Sequence, residues 1–145
     1  MKKTNPEIII DSGFFIALLN KNDQFHQKAK KLIKSLPTKR WISTWPVMTE
    51  VAHMLIRENA FLAIQGLLDL CENGGIELFH IENKQIPRLK QLMQKYQTLP
   101  IDLADASLII LAEELEHGDI VSTDLRDFNT YRWKNHKPFS NLFRT

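Results

Sequence analysis

Glu7-Ile8-Ile9-Ile10-Asp11-Ser12-Gly13 reads as a strand buried on both faces that ends in a carboxylate. Three consecutive isoleucines leave no polar side for solvent, as in a strand inside a parallel sheet. Ser12-Gly13 then turns the chain into a short helix over 14–19. Parallel strands need long crossover connections, usually helical, and the rest of the chain supplies them. Further strands are expected over 40–43, 76–81 and 119–123, with a weaker one over 138–142. Helical patterns fill the gaps. The first runs over 23–35, with Asp23 as its cap, Phe25, Ala29, Leu32 and Ile33 as its apolar stripe and Pro37 as its end. The next starts at Pro46 and carries Val47, Val51, Met54 and Leu55 inward to about 57. Others cover 60–72, stopped by Asn73-Gly74-Gly75; 83–96, with Pro87 in its first turns; and 102–117, ended by Gly118. Strands separated by helices predict an α/β fold with a parallel sheet and right-handed crossovers. No repeat, low-complexity segment or linker interrupts 1–145, which reads as a single domain.

Bulk composition excludes several classes. At 145 residues, 43% hydrophobic and 25% charged, the chain has the make-up of an ordinary globular protein. No apolar run approaches the roughly 18 residues of a membrane span. Met1-Lys2-Lys3 resembles the start of a signal peptide, but Asp11 breaks the apolar segment and no small-residue cleavage site follows. Cys71 is the only cysteine, so no disulfide or thiolate metal site forms within the chain. These features predict a cytoplasmic protein with no membrane role. Net charge is only +2 but is unevenly spread. Residues 21–40 hold seven Lys/Arg against Asp23, residues 41–83 six acids against Arg57, and residues 126–145 five Lys/Arg against Asp127. Basic flanks around an acidic centre suit a polyanion, although a Lys-rich helix face is also an ordinary solvated surface.

Six acids fall where a parallel sheet gathers ligands, at strand C-ends and helix N-ends: Asp11, Glu50, Asp102, Asp105, Asp124 and Asp127. Each also has a structural explanation. Asp11 caps a following helix, Asp102 caps the helix over 102–117, Asp124 sits in a turn, and Asp127 caps a segment starting at Phe128. Asp105 resists that explanation, because it lines up with Leu108, Ile109 and Ala112 on the buried stripe. A carboxylate there is costly unless a cation or donors meet it. Glu50, between Val47 and Met54, raises the same problem. Converging carboxylates repel one another unless a divalent ion sits between them, and oxygen-only ligation suits Mg²⁺ or Mn²⁺.

Other chemistries find little support. The five histidines show no H-x-x-x-H or H-E-x-x-H spacing, and there is no Walker loop, G-x-G-x-x-G or G-x-S-x-G. Ser12 lacks a base partner and is expected to hydrogen-bond near Asp11. Trp41, Trp45 and Trp133 are capable of stacking on bases, but packing explains them as well.

Asp11 at the first strand end, Glu50 on a mid-chain helix, Asp102-Leu103-Ala104-Asp105-Ala106-Ser107-Leu108, and Ser122-Thr123-Asp124-Leu125-Arg126-Asp127-Phe128 together resemble the PIN-domain ribonucleases. Within them the chain looks like the VapC-type toxins of bacterial toxin–antitoxin pairs, and the likeness runs from about 7 to 143. The resemblance implies a three-layer α/β/α fold with a parallel sheet of about five strands in order 3-2-1-4-5. It implies an endoribonuclease using Mg²⁺ or Mn²⁺, with Asp11, Glu50, Asp105 and Asp124 as catalytic and metal-binding residues. Asp102, Asp127, Ser12 and Thr123 match supporting positions. An RNA substrate, a cognate antitoxin and a homodimer are implied partners. The Asp102-x-x-Asp105 pair and the long 83–96 helix depart from the best-known toxins, which also leaves an RNA-processing nuclease or an inactive protein-binding module open. A phosphoryl-transfer fold is disfavoured. Gly13 stands where a phosphatase wants a second Asp, and the adjacent acids of a receiver are missing.

Overall fold

The computed structural model describes residues 6–36 and 39–143. The first strand, β1 (Glu7–Ile10), is buried along its length, and Ile8, Ile9 and Ile10 are at most 1% exposed. It leads into α1 (Ser12–Leu19) and α2 (His26–Ser35). Then follow β2 (Arg40–Thr44), α3 (Trp45–Arg57), α4 (Phe61–Glu72) and β3 (Ile76–Phe79). A 3₁₀ turn over Asn83–Gln85 precedes α5 (Ile86–Lys95), α6 (Leu103–Leu115), β4 (Asp119–Val121) and α7 (Leu125–Thr130). Three two-residue strands close the chain: β5 (Arg132–Trp133), β6 (Lys137–Pro138) and β7 (Ser140–Asn141).

The main sheet is parallel, five-stranded and ordered β3-β2-β1-β4-β7. This is the expected 3-2-1-4-5 arrangement, with β7 as the fifth strand and the antiparallel β5–β6 pair standing apart. The chain builds outward from β1 to β3 and then returns to place β4 on the other side of β1. That reversal makes the β1/β4 boundary the topological switch point, where open α/β sheets form their ligand crevice.

Register and burial fix this arrangement. Ile9 pairs with Ile42 on one side and Ile120 on the other, so β1 has apolar strand neighbours along both edges. In α6, residues 106–112 are buried without a break, which makes it an internal helix. Thr44, capping α3, shares a 2.7 Å hydrogen bond with Ser107 of α6. Ser43 Oγ donates to Ile10 O at 2.8 Å. These buried polar contacts tie β1, β2, α3 and α6 together just beneath the strand C-ends.

Several local expectations need correction. Asp23 does not cap α2; its carboxylate accepts from Phe25 N in a turn ahead of the helix. Pro37, expected to end that helix, lies outside the described residues, and Ile33 is exposed rather than on the buried stripe. Met54 is also exposed, and Met48 takes the inward place. The 83–96 helix is two elements, because Glu82 and Gln85 form a capping box around the 3₁₀ turn and Pro87 then starts α5. Helix α6 ends before Gly118, at Glu116, which has a left-handed backbone with φ of 60°. Gly118 answers a packing need instead. A Cβ there would lie 2.7 Å from Trp133 Nε1 and 3.2 Å from Phe139 Cα.

Candidate active site

All eight residues anticipated from the sequence line one cavity of about 290 Å³ at the C-terminal end of the sheet. They are Asp11, Ser12, Glu50, Asp102, Asp105, Thr123, Asp124 and Asp127, joined by Gly13, Ile16, Met54 and Pro100. Six carboxylates share the wall, and among the described residues no Lys or Arg is part of it. A second hollow of about 390 Å³, between α3 and α4, is lined by Trp45, Met48, Ile56 and Leu67 among others and holds no acid.

Five of the acids are delivered by the ends of elements, and Glu50 by the second turn of α3. Asp11 follows β1 and caps α1, accepting from Ser12 N at 2.7 Å. Its other oxygen accepts a 2.6 Å hydrogen bond from Ser122 Oγ, just past β4. That same hydroxyl accepts from Asp124 N at 3.0 Å, so one buried serine links both sides of the switch point. Asp102 caps α6 through Asp105 N at 2.8 Å, and Asp124 caps α7 through Asp127 N at 3.0 Å. The Asp-x-x-Asp spacing is thus used twice in the same way. The expected cap role of Asp127 passes to Asp124, with Asp127 in the first helical turn.

Gly13 allows this closeness. A Cβ at Gly13 would run into Thr123 Oγ1, so only glycine lets the loop after β4 settle against the start of α1. Ser122 and Tyr131 were not anticipated. The Tyr131 hydroxyl donates to Asp105 Oδ2 at 2.8 Å.

Burial and mutual repulsion raise the carboxyl groups. Asp11 is pushed up to about 6, chiefly by desolvation, with the Ser122 and Ser12 hydrogen bonds pulling the other way and Asp124 and Asp102 adding to the rise. Asp105 is pushed up to about 8 by desolvation and by the charges of Asp11 and Asp102. Glu50 is raised by burial first and by Asp102 second, and Asp127 by burial and its Asp124 neighbour. Tyr131 is raised too, by burial and then by Asp105, which keeps its hydroxyl a donor.

These acids fit a divalent cation. Glu50 Oε2 is a buried oxygen with no hydrogen-bond partner. Such an atom calls for a ligand or water. Among the described residues, no three His, Cys, Asp or Glu side chains form a ready-made metal cluster. The carboxylates instead stand around the cavity wall. The donor set is all oxygen, which suits hard ions such as Mg²⁺ or Mn²⁺.

The PIN domain family model matches residues 8–134, from β1 to the residue after β5. The chain belongs to the PIN-domain family. A solved structure, that of Mycobacterium tuberculosis VapC20, a sarcin-ricin loop cleaving toxin, superposes with a TM-score of 0.73. It is 18% identical, and the match covers 81% of this chain and 89% of that one. At that identity the likeness is one of fold. No curated protein sequence matches this PIN domain significantly. Among its described residues, no helix is long and apolar enough to cross a membrane.

The basic flanks are partly spent inside the PIN domain. Lys39 pairs with Asp119, while Arg40 pairs with Glu7 and Glu77, all at the strand ends away from the cavity. Lys134 pairs with Glu116, and Lys28 lies over the Phe143 ring. Lys30, Lys31 and Lys34 on α2 remain exposed.

Proposed function

We propose that this PIN domain is a divalent-metal-dependent endoribonuclease that hydrolyses RNA phosphodiester bonds, and that it is the toxin of a toxin–antitoxin pair. The observation that carries the reading is the cavity of six carboxylates, with no cationic side chain in its wall among the described residues. Mg²⁺ or Mn²⁺ would be held by Asp11, Glu50, Asp105 and Asp124. Bound there, it would make water a better nucleophile and offset charge on the phosphate.

The chain's own residues supply the rest. Ser122 orients Asp11 and the backbone of Asp124 at once. Asp102 keeps its Oδ1 on the α6 N-terminus and leaves Oδ2 to take up a proton or hold water. Glu50, with one unpartnered buried oxygen, is a ligand or orients the attacking water. The exposed lysines of α2 would hold the RNA backbone through charge. The fold shared with a sarcin-ricin loop cleaving toxin supports an RNA target and, by family, an antitoxin and a second copy as partners in the cytoplasm.

The test is incubation of purified protein with structured RNA in Mn²⁺ and in Mg²⁺, against EDTA and Asp105→Asn controls. Discrete cleavage lost in both controls is expected. Failure to cleave together with failure to bind either metal would leave a protein-binding PIN module instead.

A further inference from the structure

Tyr131 sits immediately past α7 and is fully buried. Its ring is held edge-on by Tyr96 and Phe128, with centroids 5.0 and 5.1 Å away. Its backbone N donates to Asp127 O at 2.9 Å, and the next residue's N donates to the Tyr96 hydroxyl at 3.0 Å. The ring is therefore fixed on several sides. A buried phenol must find a partner for its hydroxyl. Here the partner is Asp105 Oδ2, in the acid cavity.

An aspartate side chain has several staggered positions open to it. A 2.8 Å bond from an immobile ring selects one. No hydrogen bond reaches the other oxygen, Oδ1, among the described residues. We propose that Tyr131 is a positioning residue that holds Asp105 by Oδ2, presents Oδ1 alone to a divalent cation, and so favours small octahedral ions over Ca²⁺. This rests on the metal-nuclease reading above. Partners of ligating side chains fix their orientation and strengthen binding. A carboxylate restricted to one oxygen suits Mg²⁺, with its strict octahedral geometry, whereas Ca²⁺ readily takes both oxygens.

The test uses Tyr131→Phe, which keeps the packed ring and removes only the hydroxyl that reaches Asp105. Binding of Mn²⁺ is measured directly, and Mg²⁺ and Ca²⁺ by competition. Tyr131→Phe should weaken Mn²⁺ and Mg²⁺ about tenfold, weaken Ca²⁺ less, and so narrow the preference. Affinities within twofold of wild type, or a common loss for all three ions, would overturn the role. Wild-type protein that binds none of the ions would sink the nuclease reading itself, a different result from a wild type that binds and a variant that binds equally well.

Discussion

Ser122 Oγ lies 2.6 Å from Asp11 Oδ2 and joins the ends of the two strands that flank the switch point. The hydroxyl donates to a buried carboxylate and accepts from the Asp124 backbone. Removing it leaves Asp11 less able to ionise and frees Asp124 to drift. Ser122→Ala should weaken Mn²⁺ binding at pH 7 by on the order of tenfold, the scale of a hydrogen bond to a charged group. The loss should shrink as pH rises, because Asp11 then ionises without help. Calorimetric titrations at pH 6, 7 and 8 check this, and a pH-independent loss would point to Asp124 instead.

Asp11 and Asp105 are expected to weaken the fold that carries them. Both are buried among like charges, so neutral replacements relieve repulsion. Asp105→Asn keeps an oxygen to accept from Tyr131, and Asp11→Asn keeps a side chain able to cap α1. Each should lower metal-dependent RNA cleavage by at least about a hundredfold and raise the melting temperature of the metal-free protein at pH 8. A purely structural acid would show the reverse, with stability lost and activity following it.

The same shifts set a pH dependence. Asp11 and Asp105 sit at about 6 and about 8 when folded, against 3.8 ordinarily. Between pH 4 and 8 the folded chain therefore holds more protons than the unfolded one. Stability is then greatest toward pH 4–5 and falls as pH climbs through 6 and 8. Glu50 and Asp127 act in the same direction; Glu116, lowered by Lys134, opposes them but is exposed. In EDTA the melting temperature should drop by several degrees from pH 5.5 to 8.5. Mn²⁺ should restore most of it at pH 8.5 and little at pH 5.5, since binding needs the ionised carboxylates. Scanning calorimetry with and without metal reads both effects.

Asp11, Glu50 and Asp105 are legible because the sequence pattern makes them anomalous, whereas Asp102, Asp124 and Asp127 read equally well as caps or turn residues. Asp11 ends an isoleucine run, and Asp105 interrupts the buried stripe of α6. Glu50 stands beside a core-facing stripe in the same way. Ser122 was not legible, because β4 ends at Val121 rather than continuing to 123. The family resemblance points to Thr123, whereas it is the neighbouring Ser122 that bonds Asp11. Tyr131 lies 26 positions from Asp105, and only tertiary packing joins them. The strand order required the family resemblance, since helical crossovers alone do not say on which side of β1 the chain returns. The Glu82-x-x-Gln85 capping box was written in the sequence and separates the 3₁₀ turn from α5.

Gly13 and Thr123 offer a test of the cavity's shape rather than its charge. A Cβ on Gly13 would meet Thr123 Oγ1 well inside contact distance, with Thr123 Cβ 3.3 Å away. Gly13→Ala must push the loop after β4 away from the start of α1. Overpacking of this kind costs about 1–3 kcal/mol, and the displaced loop carries Asp124, so metal affinity should fall with stability. Thr123→Ala removes the obstructing oxygen. In that background Gly13→Ala should cost much less, giving a coupling of about 0.5–3 kcal/mol in a double-mutant cycle. Denaturant unfolding of the four proteins measures it. If the penalty for Gly13→Ala is the same with and without Thr123, the contact is not what requires glycine at this position.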